Sequence, residues 1–149
     1  AAGFRLDNNG FASFIKALSD LISDSIEKAA AQASMRIDAV VGPKGAYAAA
    51  TALDRLAPFG MGNPEPRFAL AGLRVRDIKI IKEAHLALQL EGPDSSRISA
   101  MCFRSVGSDL GDFICSKPPV IHVAGRIEIN TWRGRDEARL VLEDAALAN

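Results

Sequence analysis

The chain has 149 residues, 48% of them hydrophobic, which is enough to build a core in one ordinary domain or two small ones. Lys plus Arg equals Asp plus Glu at 18 each, so no global charge excess draws nucleic acid, and any phosphate-binding surface has to come from local clustering. No apolar run reaches the roughly eighteen residues of a membrane span, and Ala1 to Arg5 lacks the basic and apolar segments of a signal peptide, so neither secretion nor membrane spanning is expected; two cysteines without Cys-x-x-Cys spacing fit a reducing compartment, and a cytoplasmic location is expected.

The chain opens without Met on residues that read as a strand, Ala2 to Leu6, so a piece of a longer protein is expected. Apolar residues then recur at Phe11, Phe14, Ile15, Leu18, Leu21, Ile22 and Ile26, which is helical spacing. Asp7, Asn8 and Asn9 precede it as capping residues. Lys28 to Ser34 is Ala-rich and weakly determined. Ile37 to Val41 predicts a short strand, closed by the turn Gly42 to Gly45, and Ala46 to Leu56 predicts a second helix.

Leu56 to Pro66 carries three prolines and two glycines, which preclude regular structure. Its apolar Phe59 and Met61 predict a connector that packs down. Beyond it the period becomes two. Strands are expected over Phe68 to about Lys82, with a bend, then Leu86 to Leu90, Arg97 to Phe103, Ile121 to Asn130 and Ala138 to Leu142, with a short helix over Ser108 to Cys115. Turns fall at Gly92 to Ser96 and at Asn130 to Asp136.

The predicted fold class is an α+β N-terminal part, helices with one or two short strands, followed by an all-β five-stranded barrel of the OB type with one short helix. The division is 1–56, a Pro/Gly-rich connector at 57–67, and the barrel at 68–149.

Neither the converging Asp, His and Glu ligands of a metal hydrolase nor a Ser or Cys beside a His base is visible, so catalysis by this chain alone is not expected. Cys102 and Cys115 lack Cys-x-x-Cys spacing and read as buried free thiols. His85 reads as a surface histidine at a turn, and His122 as structural. Binding residues are sought where OB-folds hold their ligands, on strands two and three and the loops joining strands one to two and four to five. Lys79, Lys82 and His85 lie at one of those loops; Arg126, Asn130, Trp132, Arg133 and Arg135 lie on or before the other, with Arg139 across the hairpin. Arg133 and Arg135 suit phosphates, or they merely solubilise an exposed hairpin beside Asp136 and Glu137. Trp132 stacks on a base or folds onto the barrel rim. Phe103 is a second stacking platform or core.

Three segments together resemble the C-terminal part of the RecJ family of bacterial exonucleases specific for single-stranded DNA. They are LAPFGMGNPEPRF (Leu56 to Phe68); KEAHLALQL (Lys82 to Leu90) with SAMCF (Ser99 to Phe103); and GRIEINTWRGRDEARLVLED (Gly125 to Asp144). Ala1 to Phe4 is similar to the tail of the Gly-Gly-His motif of the DHHA1 domain, which makes 1–56 the remnant of such a domain. The resemblance implies a whole protein that is a DHH-class phosphoesterase, using Mn2+ or Mg2+ to remove nucleotides from 5′ ends during DNA recombination and repair. The Asp-His-His ligand motifs are not among these residues, so no catalytic or metal-binding residue and no cofactor is assigned to this chain. What carries over is a grip on single-stranded DNA by Arg126 to Arg135 and the His85 strand, with Glu91 and Asp94 making the far end acidic. The partners implied are single-stranded DNA and the upstream catalytic domain. The alternative is a protein-interaction module that docks the nuclease core or single-stranded-DNA-binding protein.

Overall fold

The computed structural model describes residues 10–32, 34–53, 55–132 and 134–148, and the side chains of 24–32 and 132 are outside that description. The strand expected at Ala2 to Leu6 and the caps Asp7, Asn8 and Asn9 lie outside the described residues. The described chain forms two compact units, Ala1–Met35 and Arg36–Asn149.

The first unit holds α1, Phe11–Gln32. The Ala-rich stretch continues the helix past Ile26 because Ala carries little side-chain entropy to lose. Lys16 pairs with Asp20 one turn on, at 3.1 Å.

The second unit holds six strands, two α-helices and one 3-10 turn, Pro43–Gly45, among the described residues: β1 (Ala39–Val40), α2 (Ala46–Leu53), β2 (Phe68–Ile81), β3 (His85–Glu91), β4 (Arg97–Cys102), α3 (Asp109–Cys115), β5 (Ile121–Trp132) and β6 (Arg135–Leu147). The unit therefore begins upstream of the connector. β1 lies parallel to the start of β2, and α2 packs on β5 and β6 through Ala46, Ala50 and Leu53, whose i, i+4, i+7 spacing puts them on one buried stripe. The connector joins these two layers. Asn63 ties it by donating to the carbonyls of Leu56 and Pro58, at 2.8 and 3.2 Å. Of its two apolar side chains, Phe59 packs on the core and Met61 is exposed.

β2 pairs with β3, β3 with β4, β4 with β6, β6 with β5, and β5 with β2, so five strands form a closed circuit of pairings. The expected bend in β2 is what permits the closure. Its first half pairs with β5 and its second with β3, with irregularities at Leu70/Leu73 and Val75/Asp77. Gly72, at φ 69°, takes the first of these, and its N–H donates to Nδ1 of His122 at 3.1 Å. Inside the circuit Leu70, Leu73, Leu86, Leu90, Ile114, Ile121, Ile127 and Leu140 are almost wholly buried. Of these, Leu86, Leu90, Ile121, Ile127 and Leu140 are alternate positions that period two assigned inward, while Ile114 comes from α3.

α3 lies between β4 and β5 in the chain, as expected, with Ser108 accepting from the Gly111 N–H at 3.2 Å as its N-cap. It buries Ile114 but leaves Cys115 exposed, so only Cys102 fits the expectation of a buried thiol. The β5–β6 hairpin is tighter than expected. The strands run on to a Trp132–Arg135 pair, so the turn is two residues long, with Gly134 at φ 74°. Trp132 and Arg135, expected in the turn, are thus strand residues, as Asn130 is.

Candidate nucleic-acid interface

Paired residues on neighbouring strands share a face, and alternate residues along a strand share it too. The core takes Leu86, Leu88 and Leu90 of β3 and Ile98, Ala100 and Cys102 of β4, which leaves His85, Ala87, Gln89 and Glu91 with Arg97, Ser99, Met101 and Phe103 facing outward. The register then sets out rows across the sheet. Asp77, Gln89, Ser99 and Arg139 form one row, and Lys79, Ala87 and Met101 the next. These two rows and Asn130 line a groove of about 270 Å³.

One end of the face is an ionic row in which Arg76 and Arg97 both hold the nearly buried Glu91 carboxylate. The bond from Arg76 holds this carboxyl below its usual range, against the opposing effect of burial and with help from Arg97. Glu91 is therefore a clamp between two cations and not the free acidic charge expected there. Asp94 is also engaged, accepting from the Ser96 hydroxyl and N–H, which keeps its carboxyl low.

At the other end the β2–β3 turn places Lys82 and Glu83 at positive φ, with the Ala84 N–H on the Ile81 carbonyl at 3.2 Å. His85 follows at the start of β3. Its Nδ1 accepts the Arg104 N–H at 2.8 Å, which makes it more than a surface histidine at a turn.

Of the residues nominated from sequence, Lys79 and Asn130 fall in the groove, and Lys82 and His85 lie at the β2–β3 end of the face. Arg135 is exposed at the hairpin, with no ion pair among the described residues. Trp132 ends β5 but its side chain is outside the described set, as is the whole of Arg133. Arg126 is engaged internally. Its guanidinium donates to Glu65 at 2.9 Å and to Glu143 at 2.7 Å, and Glu143 also accepts from Arg67. The Glu65 bond foremost raises the arginine above its ordinary value, and burial opposes it. For Glu143, burial pushes the carboxyl up, but the bonds from Arg67 and Arg126 outweigh it and leave it lowered. Sequence reasoning passed over Gln89, Ser99 and Met101. The polar or soft residues alternating with core residues on β3 and β4 were the signal for them.

Among the described residues there is no group of three His, Cys, Asp or Glu side chains placed to hold a metal ion, and no helix long and apolar enough to cross a membrane. A circuit of five strands in this order, with one helix between its third and fourth members, is an OB-like arrangement. Residues 37–144 match the family model described as the RecJ OB domain, and the chain belongs to that family. The matched stretch starts within two residues of the compact unit at Arg36.

Two curated relatives are named single-stranded-DNA-specific exonuclease RecJ. The one from Bacillus subtilis is 26% identical over 98 residues, 64% of this chain and 12% of the relative. The one from Thermus thermophilus is 34% identical over 79 residues, 53% and 10% respectively. The crystal structure of RecJ in complex with Mn2+ from Thermus thermophilus aligns over 99% of this chain and 20% of its own, at 25% identity and a TM-score of 0.62. The Mg2+ complex of that protein gives 99%, 22%, 25% and 0.61. The chain thus spans about a tenth of the curated relatives' length and about a fifth of the solved chains.

Proposed function

We propose that this chain is the OB barrel of a RecJ-type exonuclease, and that it holds single-stranded DNA across the outward face of β3 and β4. The observation that carries this is the groove of about 270 Å³ in which Lys79, Gln89, Ser99, Asn130 and Arg139 meet, flanked by the β2–β3 turn and the β5–β6 hairpin. Those are the strands and loops that OB-folds use for oligonucleotides. The contacts assigned are Lys79, Lys82, His85, Asn130 and Arg135, with Trp132 and Arg133 at the hairpin nominated on residue type alone.

The cations of the groove already have partners. Lys79 stands 3.7 Å from Asp77, and Arg139 is bonded to Glu128. The groove floor therefore suits a base, while phosphates pass along the exposed Lys82 and Arg135 at the two rims. On this proposal the Mn2+ or Mg2+ ion and the hydrolysis of 5′ ends belong to the catalytic part of the whole protein, in the cytoplasm, and this chain retains the substrate during repair and recombination.

A second proposal is favoured by the other unit. Phe11, Ile15, Leu18, Leu21 and Ile22 leave α1 with an exposed apolar stripe suited to a protein partner, such as the nuclease core or single-stranded-DNA-binding protein.

The test is fluorescence anisotropy of a labelled oligothymidine titrated with the 149-residue chain across a salt series. Binding should weaken with salt, and the Arg133→Ala/Arg135→Ala double variant should flatten the slope of log K on log salt by about 0.7 per lost phosphate contact. An unchanged slope in the double variant removes the hairpin from the interface. No binding at low salt leaves the protein-docking proposal standing alone.

A further inference from the structure

The outward face continues one row beyond the groove. Ile81 pairs with His85, and across the sheet the His85 ring meets Phe103 edge-on, with centroids 5.4 Å apart and planes at 72°. Phe103 is 52% exposed, and at this end of the face it and His85 are the rings among the described side chains; Tyr47 of α2 borders the other end, beside Gln89, Arg97 and Ser99.

The ring is held, not left loose. The next residue, Arg104, takes a positive φ of 54°, a conformation that an arginine adopts only when its surroundings hold it. The Arg104 N–H is fixed to Nδ1 of His85, and the Val106 N–H reaches the Ala84 carbonyl at 3.3 Å. These bonds tie the segment after β4, which carries the half-exposed Phe103 ring, to the β2–β3 turn. Cations surround it. Arg104 and Lys82 are exposed and have no ion pair among the described residues, and Lys79 stands one row away.

An aromatic ring braced by a neighbouring ring, with exposed cations on the adjoining segments, is the arrangement on which single-strand binders stack a base while the phosphate follows the charges. Successive rows lie two strand residues apart, about 6.7 Å, a step on the order of one extended nucleotide. We infer that Phe103, braced by His85, is the base-stacking platform of this face, and that the bases of a bound single strand follow the rows Ile81/His85/Phe103, Lys79/Ala87/Met101 and Asp77/Gln89/Ser99 in turn. This rests on the single-stranded DNA binding proposed above and adds the residue that seats a base and the direction of the path along β3 and β4. Because every base has a π-face, the platform holds single strands without choosing sequence. The Met101 and Ala87 row continues it with soft, apolar contact.

The experiment measures binding of fluorescein-labelled oligothymidine, and of the same oligomer carrying one 2-aminopurine, to the 149-residue chain. The forms compared are wild type, Phe103→Ala, Phe103→Leu and Phe103→Trp. Phe103→Ala and Phe103→Leu should each weaken binding by roughly five- to a hundred-fold, the loss expected for one stacked base. The slope of log K on log salt should stay that of wild type, because stacking releases no counterions. Phe103→Trp should bind at least as well as wild type. 2-Aminopurine fluorescence should be quenched by wild type and Phe103→Trp and not by the other two. Melting temperatures within a degree or two of wild type show that the variants fold, and Phe103→Leu keeps the test decisive if Phe103→Ala does not. Wild-type affinity in Phe103→Leu, or a loss of affinity accompanied by a flattened salt slope, overturns the platform while leaving the binding proposal intact. Absence of binding by wild type overturns both.

Discussion

Arg126 was nominated from sequence as a DNA contact, and the structure gives it an internal role that can be separated from that nomination by experiment. Its side chain is 40% exposed and bonds to Glu65 and Glu143 at 2.9 and 2.7 Å. A hydrogen bond to a charged group contributes about 1.5–3 kcal/mol when buried, and an exposed ion pair about 0.2–1 kcal/mol. At this exposure the lower part of the range applies, so Arg126→Ala should cost about 1–2 kcal/mol. Glu143 keeps its bond from Arg67, which limits the loss. For a unit the size of Arg36–Asn149, the melting temperature should fall by roughly 4–8 °C. The assay is thermal melting followed by circular dichroism, paired with the salt series for oligothymidine binding. Arg135→Ala is the contrast, because that residue is exposed with no ion pair among the described residues. It should barely move the melt yet flatten the salt slope by about 0.7. If Arg126→Ala melts like wild type and flattens the slope, the internal role assigned to Arg126 is wrong.

Gly125 sits where β5 and β6 change register, and a Cβ there would lie 2.0 Å from the Val141 carbonyl oxygen. Gly125→Ala should therefore part the two strands and lower stability by about 2–4 kcal/mol in urea denaturation, and an unchanged midpoint would contradict the pairing. Glu91 and Glu143 both have folded-state pKa values below the usual glutamate range, so their contribution to stability is present above that range and lost as pH falls below about 4.3. Melting temperature should drop on acidification through that window, and less steeply in Glu91→Gln; stability that rises toward pH 3 would contradict the clamp. A thiol reagent should titrate one cysteine in the folded chain, the exposed Cys115, and reach the second only in denaturant. Burial both shields the Cys102 thiol and raises it above its ordinary value, with Ser105 opposing. Fast reaction of both thiols in buffer would show that this part of the core opens readily.

The alternation over Leu86 to Leu90 and Ile121 to Ile129 was enough to place the strands of the circuit, because one face of each is core and the period of two follows directly. The short helix expected over Ser108 to Cys115 is α3, with Ser108 as its N-cap. What the sequence hid were the contacts between distant segments. The sequence suggested Ala49, Leu53 and Leu56 as one side of the second helix, but the buried stripe that seals β5 and β6 is Ala46, Ala50 and Leu53, with Leu56 exposed, and the compact unit reaches back to Arg36, past the connector. The hairpin looked seven residues long because Asn130 to Asp136 is polar, yet Thr131 and Asp136 bond across the strands and extend the ladder. The charged residues were the least legible. Arg126 and Glu91 look like surface charge in one dimension, and only folding brings Glu65, Glu143, Arg76 and Arg97 to them. His85 and Phe103 were each noticed singly, and their ring contact needed the β3–β4 register.

The proposed binding of single-stranded DNA on the outward face of β3 and β4 is tested most directly by titrating a 15N-labelled sample of the chain with a short oligothymidine at low salt and following backbone amide shifts. The predicted result is a saturable set of changes confined to 79–89, 99–104 and the hairpin around 130–135. Shifts that instead gather on the start of β5 and the end of β6, around the paired His122 and Ala146, or no shifts at all, would contradict it.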